Sequence, residues 1–237
     1  MNAATDPSDP TPRLLAELAA MLRGVPGSAA PLANTLRVQA MGHETFGRTD
    51  ALDLFSRHPL ALSVTPHVLA APDALAVMDV TPEGRTVGIF ADLAGGVIAR
   101  VWVAGPVADD AAAEAAVPVA SDDFLTQDRT VCAGCSQDHP RLAALAWPQV
   151  QASAAEALQT VRDPVAARSS LAVVVRAFSS GDAFAALYTL RLQSVGVPRH
   201  AHRRWALAIC RISADGALLH RLLAVSERWP VPAPVFF

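Results

Sequence analysis

Lysine is absent from this chain of 237 residues, and all 19 basic side chains are arginine. A guanidinium stays charged at ordinary pH, so it cannot serve as a neutral nucleophile or form a Schiff base. That excludes pyridoxal-phosphate enzymes, class I aldolases and Walker-type P-loop NTPases together. Codon bias in a high-GC bacterial genome is the expected cause, which also suits the abundance of Ala, Arg, Pro and Val, and the chemical exclusion holds whatever the cause. Aromatic residues make up 5% of the chain, charged residues 17%, and there are three cysteines and one tyrosine. Catalysis would therefore rest on carboxylates, histidines, Tyr188 or the cysteines. Long apolar runs are also missing. Runs such as residues 171–175 and 205–210 fall far short of the roughly 20 residues that a spanning helix requires, so no membrane partner is expected. Residues 1–12 are polar and acidic, without the basic and apolar regions of a signal peptide, which predicts a cytoplasmic protein. A net charge of −3 lacks the basic surplus expected of a nucleic-acid partner. No cofactor motif is present, and none is expected.

What is present is a strong hydrophobic pattern, since 52% of the residues are hydrophobic. Thr11-Pro12 opens a helix over about 12–23, on which Leu14, Leu15, Leu18, Met21 and Leu22 recur at helical spacing. A second helix is expected between residues 30 and 41. A short third helix, capped by Thr49, places Leu52 and Phe55 on one side and stops at Pro59. The period then changes to that of strands, at about 74–80, 85–92 and 97–104, punctuated by Glu83-Gly84 and Gly95-Gly96. Residues 107–125, rich in Ala, Asp and Glu, read as a linker between a first unit (1–106) and a second (126–237). In the second unit apolar residues recur at helical steps over 139–161, with Pro148 placed to begin a new helix after a bend. Strands follow at about 170–178, 183–194, 202–213 and 217–228, the last two joined by Asp215-Gly216. The proline-rich end, residues 230–237, suits an extended segment lying against a surface. The expected fold class is α+β: two tandem cone-shaped units of about 115 residues, each with helices packed on a curved antiparallel sheet.

Two segments carry a resemblance. Trp205-Ala-Leu-Ala-Ile-Cys-Arg211-Ile-Ser-Ala-Asp215-Gly216-Ala-Leu-Leu-His220 looks like the last hairpin of the nuclear transport factor 2-like (NTF2-like) superfamily. Gly47-Arg48-Thr-Asp50-Ala51-Leu52-Asp-Leu-Phe55 is similar to the short helix before that family's sheet. The superfamily includes ketosteroid isomerase, limonene epoxide hydrolase and SnoaL-like polyketide cyclases, beside many non-enzymatic modules. The resemblance implies a pocket inside each cone, between helices and sheet, worked by a carboxylate base with tyrosine or protonated-acid donors. It also implies a pseudo-dimer within one chain, since the fold commonly dimerises through its sheets, and leaves room for a further homodimer. Two departures stand out: the first unit lacks one long strand, and the second lacks a Gly-Arg-x-x-Ala-Leu helix. One half is then a structural partner to the other.

The candidate catalytic residues are Tyr188, His220 and Asp92. Tyr188 shares a strand face with Phe184, Leu190 and Leu192; Cys210 shares one with Ala206, Ala208 and Ile212; His220 shares one with Leu222 and Ala224. If those faces coincide, a hydroxyl, a thiol and an imidazole line one cavity. The bland reading is a buried thiol beside a hydrogen-bonded histidine. In the first unit, Asp92 lies on the face of Phe90, while Arg100 and Trp102 share the next strand, either as a substrate pocket or as a salt bridge on a sheet surface. Phe184, Cys210, Arg100 and Trp102 are thus the candidate substrate-binding residues. Cys132-Ala-Gly-Cys135 with His139 offers three potential ligands but lacks the fourth of a zinc site and the strand–helix context of a redox dithiol, so no metal is assigned. The run from Arg199 to Arg204 suits either an anion or a solvated hairpin end. Two functions follow: binding of a small apolar organic molecule in a conical pocket, with isomerase-, cyclase- or hydratase-like chemistry, or a non-catalytic module for protein–protein association.

Overall fold

The computed structural model describes residues 9–25, 32–40, 43–80, 84, 86–105, 140–160, 169–193 and 202–226. The expected linker, the Cys132/Cys135/His139 motif, residues 199–201 of the Arg199–Arg204 run and the proline-rich end lie outside the described residues.

Helix α1 (Thr11–Leu22) carries Pro at its start, and its first backbone amide, that of Thr11, donates to the Asp9 carboxylate at 2.9 Å. Asp9 therefore supplies a capping oxygen, and Thr11 is the first helical residue and not the cap. The chain then departs from expectation: residues 32–40 form strand β1 (Leu32–Ala40), not a helix. Leu36, Val38 and Ala40 alternate onto the buried face, and the irregular step between Leu32 and Arg37 obscures that alternation in sequence. This is the long strand whose absence from the first unit was expected. Strand β2 (His43–Phe46) pairs with it, and helix α2 (Arg48–Arg57) follows. The N-cap of α2 is Gly47 at φ 98°, a left-handed conformation that glycine accepts freely, so Thr49 lies inside the first turn. Ala51, Leu54 and Phe55 are its buried residues, with Leu52 packed at the margin. Strands β3 (His67–Ala71), β4 (Ala74–Val80), β5 (Thr86–Ala94) and β6 (Val97–Ala104) complete a sheet of order β2-β1-β6-β5-β4-β3. β1 runs parallel to β6, so this sheet is mixed and not wholly antiparallel.

The second half begins with helix α3 (Pro140–Thr160), which continues through Pro148 without dividing in two. Pro148 sits on the exposed side, where the missing amide costs no buried hydrogen bond. Strands β7 (Ser169–Ser180), β8 (Ala183–Gln193), β9 (His202–Ile212) and β10 (Leu218–Val225) form an antiparallel sheet of order β10-β9-β8-β7.

Period-2 alternation gives each sheet two apolar faces, and three cores result. One lies between α1, α2 and the first sheet. A second lies between α3 and the second sheet. The third joins the two sheets face to face: Met78, Phe90 and Trp102 from the first meet Phe178, Trp205, Leu207 and Ile209 from the second. The protein is thus layered helix, sheet, sheet, helix. At the joint, ring centroids are 5.6 Å apart for Phe90 and Phe178 and 6.2 Å apart for Trp102 and Trp205. Such pairs contribute about 0.5–1.5 kcal/mol each beyond their burial, more than a single partly exposed ion pair provides.

Candidate functional site

Tyr188 and Cys210 do share a face, the side of the second sheet covered by α3, and Phe184 joins them there. Tyr188 is fully buried, and its hydroxyl donates to the Val150 carbonyl of α3 at 3.1 Å. The Cys210 sulfur lies 3.7 Å from the Ser153 hydroxyl. Burial pushes the Cys210 thiol up to about 11, outweighing the hydrogen bond from Ser153, so it is neutral at physiological pH and a poor nucleophile.

His220 does not join them. Register pairs His220 with Arg211 and Arg221 with Cys210. The faces do not coincide: Leu222 and Ala224, on the parity of His220, point into the sheet-to-sheet core, and His220 itself is exposed at the strand end. Arg221 takes the place expected of the histidine, beside Cys210 and ion-paired to Glu156 of α3. Ser153 and Glu156 were not legible as partners because they look like ordinary polar positions in an alanine-rich helix. Their spacing of three does put them on one helix face.

The second candidate set lies elsewhere. Phe90 and Trp102 point away from α1 and α2, into the joint between sheets, with ring centroids 6.1 Å apart. Asp92 is in register with Arg100, yet its carboxylate accepts from Arg176 of β7 at 3.2 Å, so the pair links the two sheets. Arg100 is exposed. Tyr188, His220 and Asp92 therefore occupy three separate surroundings.

Among the described residues, side chains occupy the helix-to-sheet spaces where a conical pocket would lie. Tyr188, Leu190, Ala208 and Cys210 in one half, and Leu18, Leu36, Phe55 and Ile89 in the other, have 0% of their surface within reach of a water-sized sphere. Side chains lining a void would retain such surface. Glu17, buried on α1, and Asp79, which accepts from the Ser63 hydroxyl at 2.7 Å and the Val80 amide at 2.8 Å, are further buried carboxylates. A described concavity lies outside, a groove of about 270 Å³ between α2 and edge strand β2, lined by Glu44, Phe46, Asp50, Asp53, Arg57 and His58 among others. Phe46 is 58% exposed, and the Arg37 guanidinium lies 5.3 Å from its ring centroid. Among the described residues no three His, Cys, Asp or Glu side chains are placed to hold a metal, and no helix is long and apolar enough to cross a membrane.

No family model matches the chain, and no curated protein is similar to it. A solved structure of a proposed ketosteroid isomerase from Kribbella flavida is similar over 45% of this chain and 85% of its own, at 22% identity and a TM-score of 0.33. The architecture itself defines the class: an α+β protein of two helix-backed sheets joined face to face.

Proposed function

We propose that the protein is a non-catalytic binding module, a pseudo-dimer within one chain that works by association with another protein. The observation that carries this reading is the packing, among the described residues, of side chains into the space between helices and sheet in both halves. A binding pocket for a small apolar molecule needs a void with convergent polar groups, whereas here Tyr188 is engaged with Val150 and Cys210 is neutral and buried. The outer groove supports a partner that approaches from outside. Its carboxylates Glu44 and Asp50 and the exposed Phe46 suit a basic, extended segment, with arginine over the ring as Arg37 already demonstrates. A second reading, binding of a small organic molecule, would place that molecule in the same groove of about 270 Å³, against the exposed Phe46.

The interior is tested by methyl NMR under xenon and with cyclohexanol as a ring-sized apolar probe. Leu18, Leu36 and Leu190 methyl signals are expected not to move; saturable shifts at any of them would overturn the non-catalytic reading. A photo-reactive residue at position 46, in cells producing the protein, is expected to give a discrete protein adduct. Labelling only by small molecules favours the second reading.

A further inference from the structure

Strand registers place four side chains in one row across the first sheet, on the face turned away from α1 and α2. Phe46 of β2 stands opposite Arg37 of β1, Arg37 opposite Arg100 of β6, and Arg100 opposite Asp92 of β5. The next residues along β1 and β6, Val38 and Val101, enter the core beneath the helices, which fixes the face that the row occupies. Adjacent strands lie about 4.8 Å apart, so the two arginines stand side by side. Like charges so placed destabilise a sheet unless something neutralises them.

The described carboxylates nearby are turned elsewhere. Asp92, the acid of the row, accepts from Arg176 of β7 through both Nε and Nη2, each at 3.2 Å. Glu44, diagonal to Arg37 on β2, accepts from the Gln39 side-chain amide at 3.2 Å. Arg37 and Arg100 are both exposed, and neither has a carboxylate partner among the described residues. Arg37 is nonetheless held in place, because its guanidinium carbon lies 5.3 Å from the centroid of the Phe46 ring. A guanidinium over a ring meets it with its face and keeps its in-plane N–H donors for an acceptor.

We propose that Arg37 and Arg100 form an anion site for a phosphate group. Each arginine fork can donate two parallel N–H bonds. One fork fills the two oxygens of a carboxylate, whereas the three unesterified oxygens of a phosphate monoester accept from both forks. Its charge of about −1.5 to −2 at neutral pH also matches two guanidiniums that lack a described counter-charge. Asp92 would repel such an anion, and its pairing with Arg176 offsets that repulsion. The site is separate from the groove beside α2, whose lining includes neither arginine.

Titration of the full chain with inorganic phosphate, at an ionic strength held constant with chloride, tests the proposal through the side-chain Nε–H signals of Arg37 and Arg100. Both signals are expected to shift saturably with one dissociation constant. Arg37→Gln and Arg100→Gln are each expected to weaken phosphate at least about tenfold, through loss of charge-assisted hydrogen bonds. Arg13→Gln, at an exposed position of α1, leaves the affinity unchanged. Circular dichroism unchanged from the parent shows that the variants fold. Acetate is expected to bind at least about tenfold more weakly than phosphate, because it fills one fork only. Phenyl phosphate and a phosphoserine peptide, titrated alike, distinguish a small phosphoester from a phosphorylated protein as the source of the group, by which of them binds more tightly. Shifts that do not saturate, an equal response to chloride or acetate, or phosphate binding that survives either glutamine substitution would overturn the proposal.

Discussion

Gly88 is where the two sheets approach most tellingly, and replacing it with alanine tests the face-to-face arrangement. A Cβ built there would lie 2.9 Å from the Cβ atoms of both Ala224 and Leu207 and 3.1 Å from a Leu207 methyl. The two Cβ contacts are anchored to backbone, so relief requires β5 to separate from β9 and β10. Overpacking of this kind costs about 1–3 kcal/mol, and stiffening of the unfolded chain by the lost glycine returns about 0.4–1 kcal/mol. The net expectation for Gly88→Ala is a loss of about 1–2 kcal/mol, or about 2–8 °C in Tm for a chain of this size. Urea denaturation followed by tryptophan fluorescence reads it directly, because Trp102 and Trp205 meet at the joint. Leu207→Ala alone costs about 2–5 kcal/mol as a core truncation. Combined with Gly88→Ala it should cost less than the sum, by about 0.5 kcal/mol or more, because the smaller side chain removes one of the clashes. Gly88→Ala as stable as the parent, or strict additivity with Leu207→Ala, would refute the close contact of the sheets.

Three further outcomes follow from the buried and paired groups. Removing the hydroxyl in Tyr188→Phe forfeits its bond to the Val150 carbonyl and should lower stability by about 1 kcal/mol with the fold unchanged by circular dichroism. Cys210 holds its proton to about 11, above its ordinary 9.0. Its contribution to stability is therefore complete below about pH 9 and lost as pH rises toward 11; in a Cys132→Ser/Cys135→Ser background, Cys210→Ser should flatten that alkaline limb of the denaturation midpoint. Asp182 is held below the usual carboxylate range first by its hydrogen bond from Arg211, at 2.6 Å. The stability it contributes is present above its unfolded value and falls as acid titrates the folded carboxylate, so Asp182→Asn should make unfolding less steep below about pH 4.

Much of the fold was legible because its signals are local. All seven strands from β4 to β10 open within one residue of their expected positions, since alternation and turn glycines act over a few neighbours. β1 was not legible: its alternation covers only Leu36, Val38 and Ala40, and the parallel neighbour β6 that makes it a strand lies some 60 residues away. The candidate site divides in the same way. Shared faces such as Tyr188 with Phe184, or His220 with Leu222, follow from period-2 counting along one strand. Which face meets which is not contained in that count. The pairing of Arg221 with Cys210 is a property of the β9–β10 register, and Asp92 finds Arg176 instead of Arg100 because a second sheet covers it.

By itself, the sequence determined the exclusion of lysine chemistry, the positions of α1, α2 and of the strands from β4 to β10, and the apolar faces, because composition and short-range periodicity act within one segment. Only the tertiary structure decided that the two sheets pack against each other through Phe90, Trp102, Phe178 and Trp205, and that Tyr188 and Leu36 are fully buried beneath the helices. The reason is physical: burial depends on which surfaces meet, and a residue's own neighbours along the chain do not encode the surface that will cover it.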